Sequence, residues 1–347
     1  MPVSVVDESD ALHARVRAFA RGERAESFDA LALDLARFQA RWSPGFRRLC
    51  ALRGECSSVE QIPAVPTDAF RLTRVAVHPP ELDAARFATS GTTGSDRGVH
   101  VMRRLDTYAA VALAAGLPAL CPPGEKPVVV ALARDPGDPG ESSLGYMMRR
   151  FMSAFDGAER DAWLIAGDEV RMPALRAAVD AAQGEGRPLL VLAPAFALVA
   201  LLDRLGAATL PAPAGSVVMQ TGGFKGRTHQ VEPAALYASV THAFGGARVV
   251  GEYGMTELSS QLYESEPGVY VPPPWLRVTP VDPVSLCEVP EGEAGLARFV
   301  DLANVDSAVA VLTQDRVRRR GAGIELLGRN PGAPARGCSL AIEAMLG

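Results

Sequence analysis

Along the first 42 residues apolar side chains recur every three to four positions, and Leu31, Leu35, Phe38 and Trp42 share one face of the second such stretch. That period predicts helices over 10–22 and 27–42 with core-facing stripes. A proline-bearing connector from Gln61 to Phe70 interrupts the pattern. Short, wholly apolar runs then alternate with helical ones. Strands are expected at Val128–Leu132, Trp163–Ile165, Leu189–Leu192, Val217–Gln220 and Val249–Tyr253. Helices are expected at Leu144–Phe155, Ala174–Ala182, Phe196–Leu205 and Pro233–Val240. Buried strands separated by helices predict an α/β layer with a mostly parallel sheet.

From about Gly268 the helical period fades. Short strands separated by turns are expected at Val269–Val271, Leu276–Val281, Leu296–Leu302, Val309–Leu312 and Ile324–Leu327. This texture predicts a small antiparallel or barrel-like subdomain. The chain therefore divides into an α/β core over 1–267, a β subdomain over 268–329 and a short tail over 330–347.

With 347 residues, 48% of them hydrophobic and 22% charged, the chain reads as a globular enzyme rather than a disordered segment. No apolar run reaches the roughly eighteen residues that a membrane span needs. The N-terminus has neither a basic start nor an apolar leader segment, so a cytoplasmic location is expected. A net charge of -5 gives no electrostatic reason to expect nucleic acid. The five cysteines are odd in number and irregularly spaced, and the five histidines are scattered, which excludes a recognisable zinc pattern. Of the 35 basic residues, Lys126 and Lys225 alone are lysine. Lys126 sits in the exposed-looking turn Pro-Pro-Gly-Glu-Lys-Pro, whereas Lys225 lies in Gln220-Thr221-Gly222-Gly223-Phe224-Lys225-Gly226-Arg227, at the end of an expected strand.

Candidate chemistry concentrates in two motifs on either side of that segment. Residues 89–95 read Thr89-Ser90-Gly91-Thr92-Thr93-Gly94-Ser95, directly after apolar Phe87 and Ala88. Glycines among hydroxyls let several backbone N–H groups and side-chain donors converge on a polyphosphate. The loop lacks the Gly-Lys-Ser/Thr ending of a Walker A loop. The second motif is Gly251-Glu252-Tyr253-Gly254-Met255-Thr256-Glu257, at the end of an apolar strand. Both lie at strand ends, where open α/β sheets bind ligands.

In this order and separation the motifs resemble those of the adenylate-forming enzymes, the superfamily of acyl-CoA synthetases, luciferases and peptide-synthetase adenylation domains. The resemblance implies that Thr89, Ser90, Gly91, Thr92, Thr93 and Gly94 hold the ATP phosphates. It implies that Gly222, Gly223, Glu252, Tyr253, Gly254 and Met255 line the AMP site, with Tyr253 stacked on adenine. Thr256 would contact the α-phosphate and Glu257 would hold Mg²⁺. The residue types suit those tasks: an aromatic face for a purine, a hydroxyl for phosphate, a carboxylate for magnesium. Further on, Thr313-Gln314-Asp315 and Gly328-Arg329 resemble the superfamily's ribose-binding aspartate and its hinge, which assigns Asp315 and Arg329 to the nucleotide.

Members of the superfamily continue past that hinge into a mobile domain that carries a catalytic lysine. Here 18 residues follow Arg329 and none is lysine, so the mobile domain is expected to be lacking and Lys225 or Arg227 becomes the candidate catalytic cation. Ile62-Pro63-Ala64-Val65-Pro66, His100, Ser142-Ser143-Leu144, Asp301-Leu302-Ala303-Asn304 and Arg336-Gly337-Cys338-Ser339-Leu340 resemble the acyl-protein synthetase (LuxE-like) branch. Phenylacetate-CoA ligases are more distant relatives with the same core. The branch implies an ATP-dependent acid–thiol ligase that activates a carboxylic acid, fatty in that branch, and loads it on Cys338 for a partner reductase or acyltransferase. Two alternatives stand beside it: a compact acyl- or aryl-CoA ligase with coenzyme A as acceptor, and a non-catalytic nucleotide-binding subunit. Pro194–Leu205 and the Met147, Met148, Met152 helix are equally readable as acyl pocket or as core.

Overall fold

Three serines start the N-terminal helices. In the computed structural model, which describes residues 4–23, 25–54, 56–89, 97–121, 123–155, 162–222, 232–330 and 336–346 and only the backbone at 53 and 336–339, Ser4, Ser27 and Ser43 cap α1 (Val5–Ala20), α2 (Phe28–Trp42) and α3 (Pro44–Arg53). Each hydroxyl oxygen accepts a backbone N–H that the helix itself leaves free. The first two helices match the apolar period. The third begins on Pro44, separated from α2 by Ser43 alone.

The chain continues through β1 (Val65–Pro66), α4 (Ala69–Leu72), β2 (Ala85–Ala88), β3 (Val99–Met102), α5 (Leu105–Leu120), β4 (Val128–Ala131), α6 (Ser143–Ala154), β5 (Ile165–Ala166), β6 (Glu169–Val170), α7 (Met172–Glu185), β7 (Leu189–Pro194), α8 (Ala195–Leu205), β8 (Val217–Thr221), α9 (Pro233–Ala243) and β9 (Arg248–Tyr253). Then come β10 (Leu262–Glu266), β11 (Val269–Val271), β12 (Leu276–Val281), β13 (Ala294–Asp301), β14 (Ala310–Arg320), β15 (Gly323–Arg329) and α10 (Arg336–Leu346).

One sheet runs through the molecule in the order β12-β13-β14-β15-β11-β10-β9-β8-β7-β4, with β1 alongside β14. The block β4, β7, β8 and β9 is parallel, as its alternation with helices requires. The antiparallel strands expected after residue 268 are present and extend that same sheet through β10 and β11. Of the expected strand at 163–165, Trp163 makes a single bridge to Ala131, and Ile165 starts the small β5–β6 hairpin. Helix α5 was not foreseen, because Leu105–Leu120 is so rich in alanine that no one-sided stripe stands out.

Helices α7, α8 and α9 cover one face of the parallel block, packing Leu175, Leu198, Leu201 and Leu236 against Val191 and Val218. Helices α5 and α6 cover the other, where Tyr108, Met147, Met148, Phe151 and Met152 meet Leu190, Met219 and Val250. The N-terminal helices close over β12–β14 around Phe38, Phe46 and Phe299. The carboxyl ends of β8 and β9 therefore open into the junction of these layers, beside the β2–β3 hairpin.

Candidate active site

The phosphate-loop candidate leaves the β2–β3 hairpin through a pinched base. Thr89 N–H donates to the Gly98 carbonyl at 2.8 Å, and Gly98 N–H donates back to Thr89 Oγ1 at 2.9 Å. A Cβ on Gly98 would sit 3.1 Å from Thr89 Cγ2, so the strands approach closely because residue 98 has no side chain. Arg97 adds a hydrogen bond from Nε to the Thr89 carbonyl at 2.6 Å. Ser90, Gly91, Thr92, Thr93 and Gly94 lie outside the described residues, as do Gly223, Lys225 and Arg227 at the end of β8. Gly222 is described; its φ of +65° turns the chain out of β8.

Strand β9 delivers the second motif. Tyr253 stacks on Phe299 with centroids 6.0 Å apart and planes 18° from parallel, and it meets Tyr270 edge-on. Its hydroxyl donates to Asp315 Oδ2 at 2.7 Å. Two residues 62 positions apart thus form one unit, with Asp315 held on β14 opposite Arg329 of β15 and 3.5 Å from its Nε. Glu252 projects to the other face of β9. There its carboxylate accepts from Thr221 Oγ1, and burial pushes its carboxyl up to about 7.

Beyond Tyr253 the chain turns through Gly254-Met255-Thr256-Glu257 and is clamped by the loop after β13. Asp301 Oδ2 accepts from the N–H groups of Ser259 and Ser260, and its Oδ1 accepts from Ser260 Oγ and Ala303 N–H. Asn304 Nδ2 donates to the Glu257 carbonyl, while its Oδ1 accepts from Ser259. Gln39 of α2 holds this loop in turn, donating to the carbonyls of Asn304 and Val305 and accepting from Val309 N–H.

His100 joins the two motifs. From β3, opposite Phe87, it faces the Thr256 carbonyl with Nδ1 at 2.7 Å and Ser307 Oγ with Nε2 at 2.8 Å. A carbonyl only accepts, so the proton sits on Nδ1 and Ser307 donates to Nε2. Burial lowers its pKa to about 4, which keeps the ring neutral.

Glu257 is half-buried beside these groups. Burial pushes its carboxyl up to about 7, Asp315 and Asp68 push the same way, and Arg329 opposes them. Among the described residues no group of three His, Cys, Asp or Glu side chains is close enough to hold a metal ion by itself. A lone carboxylate still fits magnesium, which takes one or two carboxylates and completes its shell with water and phosphate oxygens.

Several solved structures share this architecture. An open conformation of 2-hydroxyisobutyryl-CoA ligase in complex with 2-HIB-AMP and CoA matches with a TM-score of 0.61 and 14% identity, over 88% of this chain and 75% of the ligase. The same ligase in its postadenylation state with R3-HIB-AMP matches at 0.62 and 15%, over 87% and 67%. ATP-bound MatB from Rhodopseudomonas palustris matches at 0.50 and 14%, over 71% of this chain and 48% of MatB. The mixed α/β fold with its large central sheet is the one these ligases have, shared over most of this chain. No family model and no curated protein matches the sequence.

Within this fold, Tyr253, Asp315 and Arg329 are in contact and Glu257 lies within their electrostatic reach, while Gly222 follows the end of β8 and Thr256 the end of β9. The Cys338 side chain lies outside the described residues; its backbone falls in the first turn of α10, which packs on α3. Among the described thiols, burial raises Cys50 to about 12 and Cys121 to about 11 and also raises Cys56, so these three are poor nucleophiles. Met147, Met148 and Met152 are core residues under the sheet. Sequence reasoning gave no role to Ser307, Gln39 or Phe299, whose parts depend on partners far along the chain.

Proposed function

We propose that the protein activates a carboxylic acid with ATP and passes the acyl group to a thiol. The acid's carboxylate attacks the α-phosphorus of ATP, forming the acyl–phosphate bond of an acyl-adenylate and expelling pyrophosphate. A thiol then attacks the acyl carbon, the thioester forms, AMP leaves and the thiol proton goes to solvent. The observation that carries this reading is the joining of three site elements. Tyr253 and Asp315 form one unit, Glu257 lies beside it, and His100 ties the base of the phosphate loop to Thr256.

In this reading Tyr253 presents its ring to adenine and Asp315 accepts from the ribose hydroxyls. Thr89, Ser90, Gly91, Thr92, Thr93 and Gly94 surround the phosphates, and Gly222, Gly223, Gly254 and Met255 line the AMP site. Glu257 would hold Mg²⁺, which when bound supplies positive charge against the phosphates. Lys225 and Arg227 are the candidate cations for the α-phosphate. Catalysis of the first step is positioning and charge neutralisation. The motif resemblance to acyl-protein synthetases makes a fatty acid the first substrate to try.

Coenzyme A as the acceptor is supported by the CoA-bound ligase of the same fold. A specific observation favours Cys338 as a second acceptor: its place in the first turn of α10, where the helix dipole favours a thiolate. Carboxylate-dependent ATP–pyrophosphate exchange tests activation, and Glu257→Gln should lower it about tenfold or more. Full exchange in that variant removes Glu257 from the metal site. Intact mass after incubation with Mg·ATP and acid tests the acceptor. A hydroxylamine-labile acyl mass lost in Cys338→Ser selects the protein thiol, and acyl-CoA formation on an unmodified chain selects coenzyme A. With the protein thiol, a reductase or acyltransferase partner would take the group onward.

A further inference from the structure

The nature of the acid can be read from polar groups buried behind the motif. At the carboxyl end of the parallel block, Glu252 faces away from Tyr253 into the layer between the sheet and α5. Thr221 pairs with it across β8 and Tyr263 across β10, so these side chains share one face. All are at least nine-tenths buried: Glu252 is 5% exposed, Gln261 3%, Tyr263 6%.

These groups crowd into space left by glycines. A Cβ on Gly254 would lie 2.6 Å from Glu252 Oε1 and 3.3 Å from Gln261 Cγ. A Cβ on Gly116 would lie 2.7 Å from the Tyr263 hydroxyl. Yet the hydrogen bonding is incomplete. Thr221 serves Glu252 Oε2, but Gln261 Oε1 and the Tyr263 hydroxyl have no partner. Among the described residues no cationic side chain forms an ion pair with Glu252. Each buried polar atom left unpaired costs about 1–3 kcal/mol. Two such atoms lie beside a buried carboxyl at the end of the sheet where α/β sheets receive ligands, and a ligand that hydrogen-bonds to them would complete the set.

The set is rich in acceptors. Carboxylate and amide oxygens only accept, and the phenol can do either. A hydrocarbon chain would leave Gln261 Oε1 and the Tyr263 hydroxyl unsatisfied. We infer that the acid taken by this site carries a hydrogen-bond donor on its acyl part, an amino or hydroxyl group received by Glu252, Gln261 and Tyr263. The inference rests on the activation reading, since it assigns Glu252 to the acyl part of that same site rather than to the nucleotide. Burial raises the Glu252 carboxyl to about 7, so an ammonium group alongside would also hold it ionised.

The test is calorimetric titration of matched acids that differ only by amino, hydroxyl or methyl at one carbon. They are titrated into the full chain saturated with Mg²⁺ and α,β-methylene-ATP, with pyrophosphate exchange measured in parallel on ATP. The amino or hydroxyl acid should bind about tenfold or more tighter than its methyl isostere. Glu252→Gln should collapse that ratio. Tyr263→Phe removes an unpartnered hydroxyl and spares packing, and it should lower the same ratio about threefold. The inference is overturned if the methyl acid binds as well, if neither variant changes the ratio, or if no acid binds. Exchange with methyl acids alone would overturn it and keep the activation reading. Donor-selective binding without any exchange would keep it and remove activation.

Discussion

His100 Nδ1 lies 2.7 Å from the carbonyl oxygen of Thr256, 156 positions further along the chain. That hydrogen bond ties the second motif to the base of the first, because β3 carries His100 and pairs with β2, the strand that precedes Thr89. The ring is neutral and its second nitrogen accepts from Ser307, so its orientation is set from both ends.

His100→Ala should therefore slow adenylation about tenfold or more with a smaller change in ATP KM, since it loosens the spacing of the phosphate loop from Thr256. His100→Asn, which keeps an N–H donor, should recover part of the loss. Steady-state exchange kinetics on both variants check this. Equal rates in wild type and alanine variant would remove the coupling.

Asp315 has one oxygen engaged by Tyr253 and another near Arg329, on a half-buried carboxylate. Asp315→Ala should raise the ATP KM about tenfold and remove discrimination between ATP and 2′-deoxy-ATP. Competition between the two nucleotides measures it, and undiminished discrimination would place the ribose elsewhere.

Stability should depend on pH through two buried groups of opposite sign. His100 titrates at about 4 in the fold and near 6.5 when unfolded, so its contribution is lost as pH falls from 6.5 towards 4. Glu252 titrates at about 7 in the fold against 4.5 unfolded, so stability is lost as pH rises from 4.5 to 7. Glu252→Gln removes the second effect. Relative to wild type it should gain up to about 3 kcal/mol between pH 4.5 and 7.5 in urea titrations. A difference that does not change with pH would mean that the carboxyl is ionised throughout.

Gly251 has its own crowded hollow on the Tyr253 side of β9. A Cβ there would meet the hydroxyls of Tyr270 at 2.4 Å and Tyr237 at 2.8 Å, and its N–H donates to Glu264. Gly251→Ala should destabilise the protein by about 1–3 kcal/mol, with partial recovery on adding Tyr270→Phe. Thermal or denaturant melts of the two variants decide it. An additive pair would mean that the strain lies elsewhere.

The local parts of this protein are legible in its sequence. Period and alternation mark α1, α2, the parallel strands and the antiparallel run from Val269, because a strand or helix advertises its buried face through its own neighbours. Glycines and hydroxyls at 89–95 and 251–257 mark candidate ligand loops for the same local reason. What the tertiary structure decided is pairing. Tyr253 with Asp315, His100 with Thr256 and Ser307, and Gln39 with the loop after β13 are contacts between distant segments, and no spacing rule encodes them. Helix α5 is not legible in the sequence because its alanines suit burial on any side. The direction of Glu252 followed from strand register, which alternates faces residue by residue and is set only when β8 and β10 pair with β9.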